Sequence, residues 1–141
     1  MPRPCLRLLS LLLIALGAGL AVSGQRPSGA LWRTIRSQDW AVSDWSAIRA
    51  SEHAGSSGVA TWRTIEAGNL RVRMAEYSPG YQADHWCSRG HVLLVLDGEL
   101  VTELQDGRSV TLTSGMSYQV ADGDMPHRSH TRRGAKLFVV D

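Results

Sequence analysis

Four residues between positions 85 and 127 carry side chains suited to holding a metal ion: His85, Cys87, His91 and His127. His85 and Cys87 are two apart, so on a strand both project from one face. Ser88-Arg89-Gly90 reads as a tight break, and His91 opens the next run with Leu93 and Val95 on its own side. One strand-loop-strand unit can therefore bring together two imidazoles and a thiolate. Such donors suit zinc, iron, nickel or copper, whereas calcium and magnesium prefer oxygen. His127, 36 positions beyond His91, adds an imidazole from another strand region. Taken singly, His53 and His130 read as surface residues and Cys87 as a small buried apolar one.

The elements that must position these groups follow a period of two from Val59 onward. Leu70, Val72 and Met74 alternate with Arg71, Arg73 and Ala75, and Ala135, Leu137 and Val139 alternate with Lys136 and Phe138. Similar alternation runs through 99–104, 109–112 and 116–120. Turn signals separate the runs at Ser78-Pro79-Gly80, Asp97-Gly98, Asp106-Gly107, Ser114-Gly115, Asp122-Gly123 and Arg133-Gly134. Short strands of this kind, with no helix-period segment between them, predict an all-β sandwich or barrel. About eight strands close most economically into a small barrel, because closure removes exposed edges. Upstream, Ser43 to Ile48 predicts one helical turn capped by Ser43, and Trp40 and Trp45 are expected to dock on the domain.

The segment from Pro79 to His91 resembles the cupins. The first cupin motif places a Gly before a His-x-His pair, then a Glu, then a closing Gly. Here His85 and Cys87 stand at the pair, His91 at the Glu, and Gly98 closes the motif. The second motif resembles the stretch from Gly115 through Ala121-Asp122-Gly123 to His127, which arrives one residue late, after Pro126. More narrowly, Asp84-His85-Trp86-Cys87 with Pro126-His127-Arg128-Ser129 is similar to the small proteins called DHCW-motif cupin fold proteins. The resemblance implies a single-domain RmlC-like jelly-roll β-barrel over residues 58–141. It implies a metal shell of His85, Cys87, His91 and His127, softer than the usual one. The departures are Cys87 for a His, His91 for the carboxylate, Ala121 for the Pro and Thr131 for an Asn.

Around that shell, Tyr118 and Met116 share a strand face and are expected to line the barrel, where they can touch a substrate. Arg89 lies in the loop between ligand residues, in reach of a carboxylate at the barrel mouth. Arg71 and Arg73 alternate with the apolar side and are expected in solvent. An interior placement would instead make them an anion site. Two functions suit such a protein. One is a metal-dependent cupin acting on a small polar molecule, its reaction unassigned. The other is a non-enzymatic module binding a sugar or organic acid, with a structural metal or none.

The N-terminal residues point to export. Arg3 and Arg7 precede an apolar run from Leu8 to Val22, and small residues follow at Ala21-Val22-Ser23-Gly24. This reads as a signal peptide over 1–24, followed by a polar arm over 25–57. The expected location is periplasmic or secreted, with no stable membrane span after processing. An uncleaved anchor is the alternative, although the apolar run falls short of the roughly 20 residues a spanning helix uses. Removing Arg3 and Arg7 takes Lys and Arg from 15 to 13, equal to the 13 Asp and Glu. A near-neutral chain with no basic run is not expected to bind nucleic acid. The expected partner is a small molecule, and the expected assembly extends to a homodimer. Cleavage would also remove Cys5 and leave Cys87 alone, so no disulfide framework forms within one chain.

Overall fold

The structure, a computed structural model, describes residues 40–141, so the expected signal peptide and residues 25–39 of the arm lie outside the described residues. The alternating segments form eight strands: β1 (Ala50–Ala54), β2 (Val59–Ala67), β3 (Leu70–Tyr77), β4 (His91–Leu104), β5 (Ser109–Thr113), β6 (Ser117–Val120), β7 (His127–His130) and β8 (Ala135–Val140). All pairings are antiparallel. A large sheet runs β1-β2-β3-β8 to the first half of β4, whose other side pairs with β6. The second half of β4 enters a smaller sheet between β5 and β7. The small sheet extends toward Gln82 and Cys87 through single bridges to His130 and His127. The arm expected at 25–57 thus supplies a strand: β1 pairs along its whole length with β2, and the sheet begins at Ala50.

Asp97-Gly98 does not separate two strands, contrary to the sequence expectation. β4 is continuous through it and passes from the large sheet into the small one, with an irregularity in its pairing to β8 between Val95 and Asp97. The extra residue reverses the parity of the strand. Leu93 and Val95 point inward before it, and Leu100 and Thr102 after it. Gly98 makes this possible. Its φ is +79°, and a Cβ there would stand 2.3 Å from the Gly134 carbonyl oxygen.

The interior is divided along its length. One end is an apolar core of Leu93, Val95, Leu100, Leu112, Ala135, Leu137 and Val139 with Ala75, against which Trp62, Tyr77 and Tyr118 pack. The other end is polar. β3 turns Arg71 and Arg73 toward the interior cavity, together with Ala75 and Tyr77, so both arginines leave the solvent expected for them. The apolar alternates have cover of their own outside. Met74, Phe138 and Leu94 sit in register across β3, β8 and β4, and the Trp45 ring meets Phe138 edge-on at 6.1 Å. Trp45 therefore docks as expected, while Trp40 is 90% exposed. The local turn is capped by Asp44 rather than Ser43, since Ser46 N donates to Asp44 Oδ1 at 3.0 Å.

Candidate metal centre

Residues 84–87 do not form the strand expected of them. The chain bends at Asp84 and His85, where Asp84 Oδ1 lies 2.6 Å from His85 Nδ1. The bend breaks the alternation that would have put His85 and Cys87 on one face. His85 stays out at the cavity rim with its side chain 73% exposed. Cys87 is tied inward by a two-way backbone pair with His127, at 2.7 and 3.0 Å.

Three segments then deliver three donors to the polar end of the barrel. Cys87 comes from the bent loop, His91 from the start of β4 and His127 from the start of β7. Their ligand atoms all lie within 4.8 Å of one another. Gly90 fixes where β4 begins, because its N–H donates to Asp122 Oδ1 at 2.7 Å and a Cβ there would stand 2.4 Å from Asp122 N. The expected shell of His85, Cys87, His91 and His127 is therefore brought together in three members, with His85 outside the close group. His53 is elsewhere, stacked on Trp62 at 3.9 Å, and His130 faces Glu103 at 3.7 Å.

The electrostatics of the trio favour a cation. His127 Nδ1 lies 2.9 Å from the Met125 carbonyl, which can only accept, so that nitrogen carries a proton and Nε2 is the nitrogen turned toward the trio, free to bind a metal once its own proton leaves. His127 Nε2 and His91 Nε2 are 3.2 Å apart. Two nitrogens on a tetrahedral zinc at ~2.0–2.1 Å would be about 3.3 Å apart, so the spacing fits one shared ion. Cys87 is half-buried, and its thiol is lowered to about 5 by hydrogen bonds from His127 and then His91, which outweigh desolvation. It is thus a thiolate at neutral pH, the form that binds metals. For His127, burial opposes the charged ring, but the Cys87 thiolate and the Met125 carbonyl raise its pKa on balance. His91 Nδ1 is buried with no partner among the described residues.

A cavity of about 250 Å³ opens beside the trio. Tyr118 and Arg89 both line it. The Tyr118 hydroxyl lies 2.8 Å from His91 Nε2, and burial raises its pKa, so it remains a phenol. Met116 is not part of the cavity. It precedes β6 in the turn, is 44% exposed, and its sulfur accepts from Thr113 N and Oγ1 at 3.4 Å. The sequence reading missed Asp141. Its side chain is fully buried and accepts from Arg71 Nε and Arg73 Nη2, each at 2.9 Å, and from Arg71 Nη2. The signal was present, since Asp141 continues the inward series of Ala135, Leu137 and Val139 by one more step of two.

No family model matches the chain, and no curated protein matches it. Solved structures do share its architecture. An RmlC-like cupin from Shewanella frigidimarina superposes with a TM-score of 0.59 at 20% identity, over 73% of this chain and 90% of that one. The fold is that of the cupins. An ectoine synthase from P. lautus has the same fold, with a TM-score of 0.60 at 16% identity over 72% of this chain and 76% of that one. So does an Fe(II) form of HppE, with a TM-score of 0.60 at 17% identity over 73% of this chain and 62% of that one. In this cupin barrel, the Cys87, His91 and His127 trio is a group that can hold a metal ion.

Proposed function

We propose that this protein binds a divalent transition metal through Cys87, His91 and His127 and holds a small polar molecule in the adjoining cavity. The observation that carries the reading is the convergence of one thiolate and two imidazoles, with ligand atoms within 4.8 Å. The mixed thiolate and imidazole set selects zinc, iron, nickel or copper over calcium and magnesium. Three protein ligands leave a coordination position open, the pattern of catalytic rather than structural sites. A bound metal would supply Lewis-acid chemistry to a molecule in the cavity. The chain's own groups set the rest. Met125 fixes the His127 ring, and Tyr118 holds a proton beside His91. The apolar core closes the barrel behind the site.

The Fe(II) carried by the HppE structure supports a metal in this fold without fixing which one. Export also belongs to this reading, on the strength of the N-terminal residues: a signal peptide over 1–24, an arm, and a cupin domain delivered to the periplasm or beyond. Among the described residues no helix is long and apolar enough to cross a membrane.

The test is metal content of protein purified without chelators, read by elemental analysis. His91→Ala and His127→Ala should each lose most of the metal, and His53→Ala should keep it. His85→Ala should also keep it, because His85 stands outside the trio. If His85→Ala loses metal as fully as His127→Ala, the shell has four members. If His53→Ala and His127→Ala behave alike, the assignment fails.

A further inference from the structure

We propose that the cavity beside the trio is a site for a small organic acid, seated by a carboxylate on Arg89 in front of Arg71 and Arg73. This rests on the reading of the same cavity as a ligand site and adds the substrate class. Three guanidinium groups face one internal carboxylate. Asp141 accepts from Arg71 and Arg73, and Arg89 Nε stands 4.0 Å from it, beyond hydrogen-bond distance. Arg89 is 54% exposed, so it can turn its fork to a second carboxylate at the mouth. Arg128, also in the lining, is already engaged with Glu103 at 2.7 Å. Asp141 and the Cys87 thiolate, which lines the same cavity, offset two of the three guanidinium charges, so one positive charge is left for a ligand.

The chemistry of the lining points the same way. A guanidinium only donates, and a carboxylate offers about four lone-pair sites and no donor. An amine would add a charge of the wrong sign. The volume of about 250 Å³ suits a molecule of few heavy atoms rather than a drug-sized one. Asp141 also shows the geometry in miniature, with both its oxygens taken by the fork of Arg71.

The experiment is calorimetric titration of the full protein with succinate and with succinamide, its uncharged counterpart. Metal-loaded and chelated samples are run side by side, and the metal content of each is measured. Succinate should bind, and succinamide should bind at least tenfold more weakly. Arg89→Gln should weaken succinate by roughly tenfold, the effect of one charge-assisted contact. Arg108→Gln, an exposed residue paired with Asp106 outside the cavity, should bind succinate like the parent protein. Equal binding of the two probes, an unchanged Arg89→Gln, or no succinate binding in either sample overturns the proposal. Arg89-dependent succinate binding by protein that takes up no metal upholds the acid site and sinks the metal reading alone.

Discussion

Cys87 is where the chemistry of the trio is most exposed to measurement. Two imidazoles lower its thiol to about 5, against an ordinary value of 9.0. A depressed pKa means that the reactive thiolate persists as pH falls, until the folded-state value is crossed. In chelated protein, alkylation of Cys87 should stay fast from pH 8 down to about pH 6 and then slow as pH falls through 5. An unperturbed thiol would already slow tenfold for each unit below its own pKa. Metal loading should suppress the reaction throughout, because a coordinated sulfur is not free to attack. A rate that falls steadily from pH 8, or one indifferent to metal, removes Cys87 from the site. At this scale the residue types were legible and one of the directions was not. Cys87, His91 and His127 can be picked out from side-chain chemistry alone. Alternation puts His85 beside Cys87, but the chain bends at Asp84 and His85, and nothing in an alternation pattern records a bend.

At the scale of elements, β4 organises the molecule, since both sheets run through it. Its sequence pattern reads as two strands because Asp97-Gly98 is an ordinary turn signal. The same glycine freedom serves a bulge instead, and the parity reversal that follows is visible only once pairing to β8 is known. The sidedness of β3 was likewise hidden. Leu70, Val72 and Met74 read as the inner face, but the outer side of the sheet has apolar cover from Trp45 and Phe138, which frees the inner side for arginine. These points separate two kinds of damage. Leu137 is fully buried in the apolar half. Leu137→Ala should cost about 2–5 kcal/mol in denaturant unfolding, the usual range for such a cavity. The donors lie at the other end of the barrel, so the folded fraction should still bind metal. Gly98→Ala should cost about 1–3 kcal/mol for the left-handed backbone alone. It should also weaken metal binding, because the clash with Gly134 displaces the strand that begins at His91. Equal metal affinity in the two variants would mean that the bulge does not hold the site in place.

For the whole molecule, the proposed export and the proposed metal site would constrain each other. Cleavage near Gly24 would remove Cys5, so the mature chain would carry one cysteine and no partner for it. That cysteine is half-buried and ionised at neutral pH, the state most open to oxidation, and the compartments an exported protein reaches are oxidising. A thiolate kept there needs something to occupy its lone pairs, and a metal shared with His91 and His127 does so. Intact mass of protein recovered from the cell envelope reads both halves of the argument. The mass should correspond to a chain starting close to Gln25, with Cys87 unmodified. Protein exported under metal starvation should show the same start and one to three added oxygens on Cys87. A full-length mass from the cytosol would overturn export. Correctly processed protein whose Cys87 stays unoxidised without metal would show that burial, rather than a bound ion, protects the thiolate.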